Sequence, residues 1–149
     1  MAAQQNRQGD MEVFDRARAI ALLNQQATGR VVFVHDCIPI AEPVNYAVIE
    51  DGVVFATGPG PEHDTAARGD VLTIQADGFD EGARPSWSVM ATGRARIVLH
   101  DEDLLASALL ALPPWTLGDD SAIVWVPATV VRWREAGSES AGDSHTTAR

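Results

Sequence analysis

The sequence predicts a mainly β protein, a small antiparallel barrel of six or so strands with two or three flanking helices. Three observations carry that expectation. Short runs rich in β-branched and aromatic residues, such as RVVFVHD, VVFAT and DVLTIQAD, recur between clusters of Gly, Pro and Asp. Only two long segments carry an apolar helical period bounded by helix-ending residues. The strands follow one another in meander order, without the strict alternation of strand and helix that builds a parallel doubly wound sheet. At 149 residues the chain has room for one domain with a proper core. That domain is expected over residues 10–134, with 1–9 and 135–149 as polar, aperiodic tails expected to be mobile.

Each element has its own warrant. Asp10 is placed to cap a first helix, in which Val13, Phe14, Ala17, Ile20, Ala21 and Leu23 form an apolar stripe, and Gly29 is placed to close it. RVVFVHD is the first strand. PIAEPVNYAVIEDG alternates imperfectly around Pro43, and Asp51-Gly52 favours a tight hairpin turn into VVFAT. A Gly/Pro loop then leads through one helical turn at Thr65 to Arg68 into DVLTIQAD. After the loop GFDEGARP comes SWSVMATGRARIVL, the longest strand candidate, with Gly93 where a bend or bulge is expected. Asp101 is placed to cap the second helix, EDLLASALLAL, which Pro113-Pro114 ends because neither residue donates to the helical ladder. AIVWVPATVVRW supplies the last strand pair, interrupted at Pro127.

Apolar residues often stand in pairs, as at Val31-Val32, Val53-Val54 and Val130-Val131, which implies strands covered on both faces. A barrel interior covers one face. Helices or a second subunit must cover the other, so a homodimer is expected.

Composition narrows the chemistry. A formal net charge of −10 argues against nucleic acid or an anionic membrane surface as partner, since both are attracted by a positive field. All eleven basic residues are arginine. Without lysine there is no Schiff base, no covalently held pyridoxal phosphate and no P-loop lysine. Cys37 is the single cysteine, so no intrachain disulfide and no Cys-based zinc site forms, which suits a reducing, cytoplasmic setting. The apolar run Leu104 to Leu112 is too short to span a bilayer, and MAAQQNRQGD lacks the apolar stretch of a signal peptide. No histidine pair stands at helical ligand spacing, and Ser86 and Ser88 flank Trp87 with no Gly-x-Ser-x-Gly elbow.

Four segments stand in a telling order: PVNY at Pro43 to Tyr46, VFATGPG at Val54 to Gly60, ARGDV at Arg68 to Val71, and WSVMATGRA at Trp87 to Ala95. With the leading helix and RVVFV they resemble the pyridoxamine 5′-phosphate oxidase-like family, the flavin-binding split barrels. The resemblance covers roughly Asp10 to Val131. It implies a homodimeric split barrel holding FMN, or in some branches a deazaflavin, at the subunit interface, with electrons passed to a small organic substrate.

The chain departs from the family where charge matters. The strand before the Gly/Pro loop commonly reads Phe-Arg-Thr and the loop continues Gly-Ser-Lys; here the positions are Phe55-Ala56-Thr57 and Gly60-Pro61-Glu62. Losing two cationic donors, each worth about 1.5–3 kcal/mol to a phosphate, weakens such a cradle. A remote arginine such as Arg94 or Arg96 is a candidate substitute. The resemblance implies a cofactor lining of Asn45, Tyr46, Thr57, Gly58, Gly60, Arg68, Trp87 and Ser88. Plainer readings stand beside it: Asn45 and Tyr46 as strand residues beside a proline, Trp87 as core or dimer contact, Thr57 and the glycines as a Gly-Pro turn, and His63-Asp64 as exposed loop residues. His35-Asp36 and His100-Asp101 read as turn and cap residues, and no residue is assigned as general acid or base. The rival functional reading is a split barrel that has lost flavin and binds or transforms a neutral or cationic small molecule without redox chemistry, motivated by Glu62 and Asp64.

Overall fold

In a computed structural model of the chain the described residues are 15–79, 81–82, 84–100, 102–135 and 146–147. The expected caps Asp10 and Asp101, the stripe residues Val13 and Phe14, and most of both expected tails lie outside them. A first helix, α1, occupies 15–23 of the described chain, and the strands begin with β1 (Thr28–His35), β2 (Ile38–Ile49) and β3 (Gly52–Thr57). Helix α2 (Pro61–Ala67) precedes β4 (Val71–Phe79), β5 (Pro85–Arg94) and the two-residue β6 (Arg96–Ile97). Helix α3 (Asp103–Ala111), a 3-10 turn at Pro114–Thr116, β7 (Ala122–Pro127), β8 (Val130–Glu135) and a two-residue β9 (Thr146–Thr147) complete the order.

All neighbouring strands are antiparallel, in the order β6-β7-β3-β2-β1-β4-β5-β8-β9. Continuity of the chain curls this sheet. β5 runs into β6 across Ala95, and β7 runs into β8 across Ala128 and Thr129, so each long strand leaves one half of the sheet and joins the other. β2 does the same without a break: Ile38 to Asn45 pair with β1, and Tyr46 to Ile49 pair with β3. The result is a mainly β split barrel with three flanking helices, as the sequence predicts. Gly93 sits at its seam. A Cβ there would lie 2.0 Å from the Pro127 carbonyl oxygen, so β5 can cross β7 only with hydrogen at this position.

Two cores divide the apolar residues. Val31, Phe33, Val53, Phe55, Leu72, Ile74, Val89, Val124 and Val126 fill the barrel interior, and Ala19, Leu22 and Leu23 of α1 pack into the same cluster. A second cluster joins Val54 and Ile123 to Leu104, Ala108 and Leu112, so α3 lies on the outer face of β3 and β7. The adjacent pair Val53-Val54 is thereby split between the cores, which is why the strand reads as a doublet rather than an alternation.

Several local expectations need correction. Gly29 lies inside β1, paired with Val44, and α1 ends at residue 23. The buried face of α1 is Ala19, Leu22 and Leu23, which pack into the interior cluster, whereas Ala17 and Ala21 are exposed; Arg16 on Asp51 and Arg18 on Glu135 tie the helix at its surface. The hairpin loop is Glu50-Asp51, one residue earlier than expected: Ile49 pairs with Gly52, and Glu50 takes the positive φ of 53°. The helical turn expected at Thr65 to Arg68 is the seven-residue α2, started by Pro61.

Candidate functional site

Strand alternation sorts the sequence-predicted residues. Adjacent strand residues face opposite sides of a sheet, so Asn45 and Tyr46 cannot line one surface, nor can Trp87 and Ser88. Tyr46 turns inward: it is 3 % exposed, donates its hydroxyl to the Leu23 carbonyl at 2.6 Å, and burial pushes its phenol well above the usual range. Trp87 also turns inward, lying directly across from Gly78, where an added Cβ would stand 1.9 Å from the indole nitrogen.

Asn45 and Ser88 face the other way and share the outward side of the sheet half built by β1, β4, β5 and β8. Asn45 pairs with Thr28, whose hydroxyl donates to its Oδ1 at 3.2 Å, and Ser88 pairs with Asp77 on one side and Arg134 on the other. Thr28 and Asp77 line a common cavity of about 260 Å³ with Arg30, Pro43, Gln75 and Phe79, which joins the two pairs into one transverse row. A second row runs Pro43, Arg30, Gln75, Met90, Arg132. Thr73 and Thr92 share a hydrogen bond of 2.8 Å in the next, and Gln75 Nε2 donates to Ser88 Oγ at 3.4 Å. Val32 and Met90 on this face belong to neither core cluster. It is a broad, half-buried surface of mixed polarity, with shallow cavities along it.

Thr57, Gly58, Gly60 and Arg68 are not on that sheet face but on the segment that borders it, the first three in or before the loop between β3 and α2 and Arg68 at the end of α2. Thr57 donates to the Gly58 carbonyl, and Arg68 is bound to Asp70 at 2.9 Å. Ala56 packs against the α3 cluster, so the position where the family commonly carries arginine is apolar in surroundings as well as in sequence. Glu62 meets Glu42 of β2, and this contact first, then burial and repulsion, raises the Glu42 carboxyl above its usual value. His63 stands 3.6 Å from Asp64. Of the two candidate substitutes, Arg94 reaches the Gly69 carbonyl at 3.3 Å, while Arg96 is held by Glu102 at 2.8 Å beneath a cation-π contact with Trp125. The loop therefore does not fit a phosphate dianion.

Sequence reasoning passed over Arg30, Arg132 and Arg134. The available signal was the alternation Arg132-Trp133-Arg134, which sets two cations on one strand face. Among the described residues no cluster of three or more His, Cys, Asp or Glu is placed to hold a metal ion. Among the described residues no helix is long and apolar enough to cross a membrane.

Comparisons agree with this architecture. Residues 15–131 match the family described as pyridoxamine 5′-phosphate oxidase. An uncharacterised protein of Mycobacterium tuberculosis is 33% identical over 122 residues, covering 78% of this chain and 80% of its own. The structure of an FAD-binding protein from Mycobacterium smegmatis superposes with a TM-score of 0.64 at 31% identity, covering 79% of this chain and 93% of that one. An FAD-binding protein from Mesorhizobium loti shares the fold at 20% identity and a TM-score of 0.66, over 80% and 91% of the two chains. With a family match over most of its length and a relative a third identical, this chain belongs to the pyridoxamine 5′-phosphate oxidase family.

Proposed function

We propose that this protein binds a flavin, FMN or FAD, on the outward face of β1, β4, β5 and β8, between two copies of the chain in the cytoplasm, and serves oxidation or reduction of a small organic substrate. The observation that carries the reading is that face: Asn45 and Ser88, expected from the family order, fall into one row on a half-buried sheet surface. The surface is wide, and its mixed Thr, Gln, Met and Arg lining suits a planar ring with polar edges. The FAD-binding relative at 31% identity supports the cofactor class. A deazaflavin is the less favoured alternative. Tyr46 and Trp87 then act from beneath, as interior residues that hold β2 and β5 in place, and the Thr57 to Arg68 loop borders the site without gripping a phosphate.

A second reading is favoured by the Glu42 and Glu62 pair. Glu62 at the position of the family's lysine, with Glu42 of β2 beside it, suits a cationic or neutral ligand, bound without redox chemistry. Titration of the purified chain with FMN and with FAD, followed by flavin fluorescence, separates the two. Saturation at micromolar flavin is expected; no binding up to millimolar concentration of either would leave the second reading in possession.

A further inference from the structure

The cradle in the loop is acidic, yet the chain places cations elsewhere on the proposed flavin face, and the geometry points to Arg134, Arg132 and Ser88 as a replacement anion subsite that takes the phosphate or pyrophosphate of the flavin nucleotide. This rests on the flavin reading. Arg132 and Arg134 alternate along β8, about 7 Å apart at the rise of a strand. Their cross-strand partners are Met90 and Ser88, and these four residues with Trp133 line a cavity of about 320 Å³.

The electrostatics mark out Arg134, with Arg30, among the arginines of this face. The chain carries 21 Asp and Glu against 11 Arg, and Arg16, Arg18, Arg68 and Arg96 each hold a carboxylate. The Arg134 side chain, like that of Arg30, has neither an ion pair nor a hydrogen bond among the described residues, although carboxylates are in surplus. A planar guanidinium left open beside a cavity is suited to bidentate contact with phosphate oxygens. Ser88 adds a neutral donor: its Oγ accepts from Gln75 Nε2, which leaves the hydroxyl hydrogen free for an anion. Asp77, across from Ser88, is the carboxylate that faces this subsite from β4, and Arg30 shares the neighbouring cavity with it. Met90 supplies an apolar floor between the two cavities. The subsite thus offers part of what the loop has lost, the open guanidinium of Arg134 and a hydroxyl with Arg132 beside them, on the face where the ring is proposed to lie.

Riboflavin, FMN and FAD titrated against the wild type, Arg134→Gln and Arg132→Gln test the assignment, because riboflavin carries the ring without phosphate. Both arginines are exposed, so the variants are expected to keep the fold, checked by circular dichroism. The expected result is about a 10- to 100-fold loss of FMN and FAD affinity in Arg134→Gln, with riboflavin unchanged within twofold. Equal loss for all three ligands, or no loss for FMN and FAD, overturns the subsite. If the wild type binds no flavin, the flavin reading fails by itself and inorganic pyrophosphate decides: saturable binding abolished by Arg134→Gln supports the subsite, and its absence overturns it.

Discussion

Single residues show most clearly what the sequence could and could not say. Gly93 is legible as a break in a long strand, but its partner across the seam, Pro127, becomes visible only when β5 meets β7. Gly93→Ala drives a methyl into a backbone carbonyl that has nowhere to go, so a loss of about 1–3 kcal/mol in denaturant unfolding is expected. Tyr46 is the opposite case. The family order marks it as cofactor lining, whereas its hydroxyl is spent on Leu23 and its ring is interior. Tyr46→Phe removes that bond, while the Gln26 amide still donates to the Leu23 carbonyl at 3.4 Å, and is expected to cost about 0.5–1.5 kcal/mol, with flavin affinity unchanged once the fold is intact. A change in affinity larger than the change in stability would return Tyr46 to the lining.

At the scale of elements, breaks were easier to read than joints. Pro113, Pro127 and the Gly/Pro loop end elements where they stand, because missing donors and fixed dihedrals act locally. Turn registers were shifted by a residue, since positive φ at Asp36, Cys37 and Glu50 is imposed by the paired strands rather than chosen by those residues. The start of α3 is tied by Glu102, which accepts from the Leu99 amide at 2.6 Å and from Arg96. These contacts, with Arg96 the largest, lower the Glu102 carboxyl below its usual value. A depressed carboxyl stabilises the fold above its unfolded value of about 4.3 and loses that contribution as pH falls through the folded value. Glu102→Gln is therefore expected to lower the melting temperature slightly at neutral pH and to have no effect in strong acid. The raised Glu42 carboxyl has the reverse sign: the contact with Glu62 stabilises in acid and is lost as pH rises through the folded value. Glu62→Gln is expected to raise stability slightly at neutral pH but not in acid. Thermal melts of the two variants across pH 3 to 8 check both signs.

The whole molecule is an antiparallel sheet curled on three strands that change partners, with α1 packed into the interior cluster and α3 on the outside of β3 and β7. Its class followed from short β-rich runs in meander order with only two helical segments, while the doublets of apolar residues pointed to strands covered on both faces. The placement of the site did not, because which of two adjacent residues faces outward depends on pairings distant in sequence. A homodimer was expected from strands covered on both faces, and sedimentation equilibrium is predicted to give about twice the 15.9 kDa chain mass, with a monomer arguing against the shared site proposed on the face of β1, β4, β5 and β8. A crystal structure of the protein with FAD tests the central claim most directly. The account predicts the flavin ring over the row of Asn45 and Ser88 with its phosphates toward Arg134. A flavin seated in the loop between β3 and α2, beside Glu62, would contradict it.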